Sequence, residues 1–201
     1  MAANAIDRVE RDLHVAFVGT YPPRRCGIAT FTRDLAAGMS AASPRVRPLA
    51  IAVTDEGGEY AYPAEVAYEI RQGTKGDYPR AAELVNYKDV RWLSIQHEYG
   101  IFGGDDGAYI LELLTALRVP ALVTLHTVLE HPSESQRTIV QKMAKSAPLV
   151  VMSQVAADLM PCGTTSRTRA STSSRTASRT CRRAIRMPSR PGSASPVVAC
   201  C

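Results

Sequence analysis

The sequence predicts an α/β fold, a Rossmann-like doubly wound parallel sheet followed by a disordered tail. Three observations predict it. Short β-branched and apolar runs recur through residues 13–160, each bounded by turn residues, as befits strands covered on both faces. Segments with apolar residues at helical spacing lie between them, and that alternation builds a parallel sheet with right-handed crossovers. At Pro161 both patterns stop, and Ser, Thr, Arg, Ala and Pro take over.

The first unit organises the rest. Residues 14–19 (HVAFVG) read as a buried strand, and Ile28, Phe31, Leu35 and Met39 repeat at helical spacing directly after a Pro/Arg/Gly loop. Such a loop hands its N–H groups to a helix N-terminus, where anions are favoured. Residues 46–53 form a second strand, with Pro48 placing it at a sheet edge or falling near the strand start. A polar loop with Gly57 and Gly58 leads to a third strand at 66–70. Asp77 then reads as the cap of a helix reaching Asn86, with Pro79 in its first turn.

Residues 90–96 are the fourth strand. The loop from His97 to Gly107 holds four glycines and three acids, and a helix follows at 109–117 whose Ile110, Leu113, Leu114 and Leu117 face the core. Residues 121–125 form the fifth strand, ending in His126 and Thr127. Ser133 with Gln136 is a capping-box pattern for a helix running to about Ala147. Residues 149–152 are the sixth strand, and Ser153 opens a last helix with Val155, Ala156 and Leu159.

With 201 residues the chain suits one sizeable domain, here residues 13–160, between a charged extension at 1–12 and the tail at 161–201. The overall charge of +5 averages two unlike parts. Residues 1–160 carry 16 Lys and Arg against 19 Asp and Glu, whereas 161–201 carry eight Arg and no acid. Five cysteines without regular spacing, and an N-terminus without an apolar signal core, imply a reduced cytoplasmic protein. No apolar run has the length of a membrane span, while peripheral membrane contact stays open.

The tail has too little apolar area to offset its ordering entropy. Three readings compete for it: a disordered linker, an Arg/Ser-rich nucleic-acid arm, and the product of a shifted reading frame. Regrouping the codons of Ser174 to Thr180 by one base permits Pro-His-Gly-Ile-Pro-Asp, and regrouping from Pro161 permits Leu-Arg-Asp-Asp-Phe, which would finish the interrupted helix. The shifted frame is the expectation. A nucleic-acid role is not, because the tail offers no aromatic residue to stack on bases.

Several residues are candidates for chemistry. Gly27 allows close approach of a ligand where the first strand meets its helix, or only makes a tight turn. Arg24 and Arg25 can meet a diphosphate or an acidic acceptor. Cys26 is a reactive thiol or a small loop residue. His97 and Glu98 end the fourth strand and, with the glycine loop, form a wall facing an acceptor. A metal held by His97, Glu98 and His126 lacks any diagnostic spacing and is not expected. Asp105 and Asp106 precede a helix and are read as its caps, and His131 and His14 as structural or incidental.

The segments TYPPRRCGIATFTRDLA, QHEYGIFGGDDGAYILELL, VPALVTLHTVL and VVMSQVAADL, in this order, resemble the N-terminal domain of bacterial family 4 glycosyltransferases. The resemblance covers nearly all of residues 13–160 and implies half of a GT-B architecture, two Rossmann-like domains facing a cleft. The permitted His-Gly-Ile-Pro-Asp is also similar to the family's segment leading into its second domain. The resemblance implies sugar transfer from a nucleotide-sugar donor to a sugar-containing or small-molecule acceptor, with no cofactor and no obligatory metal. It makes His126 the residue that reaches the donor sugar and the reacting centre. Arg24, Gly27, His97, Glu98 and Thr127, in the first loop and at the strand ends beside it, are read from that position as donor- or acceptor-binding residues. The resemblance also places the donor nucleotide and leaving-group contacts in a C-terminal domain without counterpart in this sequence, so this chain alone is expected to be a poor catalyst or none. The alternative is a non-catalytic α/β module binding a nucleotide or a sugar phosphate.

Overall fold

The computed structural model describes residues 12–160 and two short strands at 184–186 and 197–199; the remainder of the N-terminal extension and of the tail lies outside the described residues. Six strands, β1 (Leu13–Gly19), β2 (Val46–Thr54), β3 (Val66–Arg71), β4 (Val90–His97), β5 (Ala121–Leu125) and β6 (Leu149–Val151), form one parallel sheet in the order β3-β2-β1-β4-β5-β6. The helices are α1 (Gly27–Ala42), α2 (Asp77–Tyr87), α3 (Ile110–Ala116), α4 (Glu134–Ser146) and α5 (Gln154–Leu159). This is the doubly wound α/β fold expected. Strand order reverses direction between β1 and β4, and in open parallel sheets the ligand crevice lies at that switch, outside the carboxyl ends of the strands.

Helices cover both faces of the sheet. α1 packs on one, over Val15, Phe17 and Val46. On the other, α2, α3 and α4 lie side by side over Ala16, Val18, Leu93, Ile95 and Val123. Every residue from Val15 to Gly19 is therefore buried, whichever way it points. Each large aliphatic side chain so buried stabilises the fold by about 1.5–3 kcal/mol relative to exposure, which makes the sheet the source of most of its stability.

The local chemistry departs from the sequence reading at three places. Pro48 lies in an interior strand, so the edge alternative fails; it sits opposite Val15 near the start of β2, before β3 joins at Ala50. Gly76, not Asp77, is the cap position of α2, and it makes no side-chain cap bond. The Asp77 carboxylate turns back to β3, accepting from the Arg71 backbone N–H at 3.1 Å, from Nε at 2.7 Å and from Nη2 at 2.9 Å. A planar guanidinium fork outcompetes a single cap bond, and it holds the Asp77 carboxyl below its ordinary pKa of 3.8.

Asp105 and Asp106 do not cap α3, whose cap position is Tyr109 without a side-chain bond. Asp106 has a left-handed backbone (φ 52°) and reaches α4 instead, accepting from Ser133 Oγ at 3.3 Å and Gln136 Nε2 at 3.1 Å. The capping box of α4 itself is present as read. In the tail, β7 (Ala184–Arg186) and β8 (Val197–Ala199) extend the sheet antiparallel beyond β6. They are exceptions to the expectation of a tail without regular structure, at Ile185 and at Val197–Val198, where its β-branched apolar residues fall. Among the described residues no helix is long and apolar enough to cross a membrane.

Candidate functional site

β1 ends at Gly19, and packing explains that glycine. A Cβ there would lie 3.0 Å from Gln96 Cβ and 3.2 Å from Thr32 Oγ1, so β1, β4 and α1 would have to give by a few tenths of an ångström to admit it. The loop then delivers Cys26 as the cap of α1: its Sγ accepts from the Ala29 N–H at 3.3 Å and lies 3.0 Å from Thr20 Oγ1. Cys26 thus serves as a small capping residue.

Gly27, the first residue of α1, is exposed, and a Cβ there would meet nothing within 4 Å. Neither backbone strain nor packing calls for glycine here, so the tight-turn explanation has no support from the fold. Helix geometry leaves the Gly27 and Ile28 N–H groups without intrahelical partners at this open mouth. Arg24 folds back onto the end of β2, where Nη1 donates to the Val53 carbonyl at 3.3 Å and Nε pairs with Asp55 at 3.5 Å. Arg25 is exposed.

His126 follows β5 directly and lies on the α1 side of the sheet. Its ring meets Phe31 of α1 edge-on, centroids 4.9 Å apart, and its Nε2 is 3.0 Å from Gln96 Oε1. A carbonyl oxygen only accepts, so Nε2 carries the proton and Nδ1 is the acceptor of the neutral ring. Gln96 is wholly buried and held in turn, its Nε2 donating to Ser94 Oγ at 2.9 Å. Burial pushes the His126 imidazole below its ordinary pKa of 6.5, while the Glu98 carboxylate pulls it up. Near neutral pH the ring is a half-buried, oriented acceptor.

His97 departs from the expectation of an acceptor-facing residue. It belongs to β4, opposite Leu125 of β5, and points to the face covered by α2 and α3. It is 0% exposed, stacked on Phe102 at 5.7 Å and met edge-on by Tyr99 at 5.2 Å, and among the described residues neither ring nitrogen has a hydrogen-bond partner. Burial lowers its pKa to about 4, with a smaller contribution from His126. Glu98 and Thr127 do come together: Thr127 Oγ1 donates to Glu98 Oε2, while Glu98 Oε1 accepts from the Tyr99 N–H at 3.0 Å. The backbone ties the two strand ends as well, through the His126 N–H and the His97 carbonyl at 2.9 Å.

The structure thus pairs Glu98 with Thr127, sets His126 against Phe31 of α1, leaves Gly27 open, ties Arg24 to β2 and seals His97 away. Sequence reasoning missed Gln96, Ser94 and Phe31. A signal for two of them existed: Ser94 and Gln96 are polar residues two apart, alternating with the apolar Leu93 and Ile95, hence on one face. Among the described residues no group of three His, Cys, Asp or Glu could hold a metal ion. No family model matches the chain, and no curated protein matches it.

Proposed function

We propose that residues 13–160 are the acceptor-side domain of a glycosyltransferase that moves a sugar from a nucleotide-sugar donor to an acceptor. The observation that carries this reading is the oriented His126, neutral at working pH and fixed by the Gln96–Ser94 chain, at the mouth of a parallel-sheet crevice. Its Nδ1 suits a hydroxyl of the donor sugar, which donates to it as the glycosidic bond breaks. The Glu98–Thr127 pair borders the same strand ends, where a carboxylate can accept from acceptor hydroxyls. The N–H groups of Gly27 and Ile28 suit an anionic part of the substrates. Contacts to the departing diphosphate belong, by the resemblance, to a second domain.

The test compares this chain with a version whose reading frame is restored after codon 160, assaying nucleotide-sugar hydrolysis and transfer in both. Activity is expected in the restored protein alone, and His126→Ala there should lower turnover by roughly 100-fold, in line with loss of one positioned catalytic group. No inserted or deleted base in the gene near codon 160 would remove the frame argument. Binding of a nucleotide sugar without turnover in either version would favour the non-catalytic module.

A further inference from the structure

The wall over His97 is a short segment, residues 99–107, built from two 3-10 turns (Tyr99–Ile101 and Asp105–Gly107) and belonging to no strand. We propose that this segment is a proton-operated lid, held shut over a neutral His97 and opened when His97 takes up a proton. The lid does not depend on the glycosyltransferase reading; only its effect on sugar transfer does.

Three observations lead to it. The first is that His97 is a base closed into a place that suits only its neutral form. Its fully buried ring is stacked on Phe102 at an interplanar angle of 17° and met edge-on by Tyr99, both from the segment, and among the described residues neither nitrogen has a partner. An imidazolium there would carry two N–H donors without acceptors, and a cation–π contact with Phe102 supplies none. The titratable and charged groups around it come from every neighbouring element. Glu98, Tyr99, Asp105 and Asp106 lie on its own connection, Tyr78 on α2 against Phe102, Tyr109 before α3 against Tyr78, His126 after β5, and Arg137 on α4 beside Tyr99. His126 adds to burial in disfavouring the cation, and no carboxylate offsets it.

The second observation is how the segment is attached. Side chains pin it at separate points: Gln72 Nε2 donates to the Gly100 carbonyl at 2.9 Å, the Tyr78 hydroxyl accepts from the Gly103 N–H at 2.7 Å, and Asp106 accepts from Ser133 and Gln136. Gly104, Asp106 and Gly107 all have positive φ, at 77°, 52° and 83°. At Asp106 that conformation carries a cost that opening removes. Burial of Ile101 and Phe102 opposes opening and keeps the lid shut while His97 is neutral.

The third is that the lid reaches the candidate site. The Tyr99 N–H donates to Glu98 Oε1 at 3.0 Å, and Thr127 donates to the other oxygen of the same carboxylate. Lifting Tyr99 removes one of these two partners, so a proton taken up on the sealed face loosens the Glu98–Thr127 pair. With the lid open His97 titrates near its ordinary 6.5, and with the lid shut near 4, so opening increases as the pH falls through that window.

Backbone amide exchange of the full 201-residue chain at pH 7, 6 and 5, corrected for the intrinsic pH dependence of exchange, tests the lid. Protection at residues 99–107 should fall about 20-fold between pH 7 and pH 5, the change in open population that midpoints of 6.5 and about 4 imply. The fall should be absent in His97→Leu and in His97→Gln, neither of which takes up a proton there; if one of them does not fold, the other decides. Urea well below the unfolding transition should leave exchange in the segment unchanged while amides of β4 and β5 respond, because a local opening exposes little surface. The His97 imidazole, followed by NMR in the unmodified chain, should titrate near 4. An equal fall in the variants, a urea response matching that of β4, or a His97 midpoint near 6.5 would overturn the proposal. Sugar transfer enters none of these readouts, so failure of the lid and failure of the glycosyltransferase reading are separate results.

Discussion

His97 and His126 sit at the carboxyl ends of neighbouring strands, joined by a backbone hydrogen bond, yet they occupy opposite environments. His126 lies on the α1 side, half-buried, its Nε2 on Gln96. His97 is on the other side, fully buried between Phe102 and Tyr99, with both nitrogens unpartnered among the described residues. Strand geometry makes the difference, since successive side chains point to opposite faces. Gln96 takes the open face that closes on Gly19 and Thr32, so the next residue must take the sealed one. A histidine near a crevice is thus a candidate for chemistry only when its parity on the strand is right. His97 costs the fold stability, and His126 is placed for use.

The largest effect that would sharpen this contrast is the pH dependence of folding. The unfolded chain protonates His97 near 6.5, the folded one only near 4. Between these values the unfolded state binds more protons, so stability is fully present above pH 6.5 and falls as the pH drops toward 4. The loss amounts to roughly 3 kcal/mol at one pKa unit per 1.4 kcal/mol. His126, also lowered, adds to it in the same direction. Asp77, whose carboxyl is held below 3.8, loses its contribution only at lower pH, outside the window. Urea unfolding at several values from pH 7 to 4.5 should show the slope in the native chain and most of it gone in His97→Leu. That variant should be as stable at pH 7 or more so, since it removes an unpaired buried polar group. An identical slope in both chains would mean that His97 is not sealed.

How much of this was legible in the sequence follows from the same geometry. All six parallel strands and five helices could be read from residues 13–160, because apolar runs and helical spacing survive whatever packs on them. Phase within a strand could not. β4 reads VRWLSIQH, and with helices on both faces its Leu93 and Ile95 are as apolar as a one-sided core strand would be. Ser94 and Gln96 set their face apart from that of Leu93 and Ile95, but the run does not mark what packs over either face, nor that His97 is sealed. Asp77 and Asp106 mislead for another reason: each sits where a cap would, but a partner distant in sequence or across a loop, Arg71 or Ser133 with Gln136, offers more bonds. Position along the chain shows where the site is, at the strand ends; it does not show which side chains reach it.

A smaller effect separates the two glycines of the first unit. Gly19→Ala places a methyl 3.0 Å from Gln96 Cβ and should destabilise the fold by about 1–3 kcal/mol. Because Gln96 holds His126, the same change should also disturb the imidazole, visible as a shift of its NMR titration. Gly27→Ala meets open space and should leave stability within about 0.5 kcal/mol. If ligand backbone contacts occur at Gly27, substrate binding falls in that variant while the melting temperature holds. Equal melting temperatures for the two variants would contradict the packing described at Gly19.

The smallest effect concerns what keeps the sealed side sealed. The segment over His97 is pinned at one end by Tyr78, whose hydroxyl accepts from the Gly103 N–H at 2.7 Å and donates to the Gln72 carbonyl at 2.9 Å. At the other end Asp106 grips the first turn of α4 through Ser133 and Gln136. Ser133→Ala removes the cap bond to the Gln136 N–H and one of the two bonds to Asp106, a loss of about 1 kcal/mol. Local opening should respond more than global stability, because one of these bonds ties the loop to α4 and the other lies within the first turn of α4 itself. Amide exchange at residues 99–107 should therefore quicken while β4 and β5 stay protected. Exchange that quickened evenly across the sheet would show that the cap supports the fold as a whole and that the seal over His97 does not depend on it.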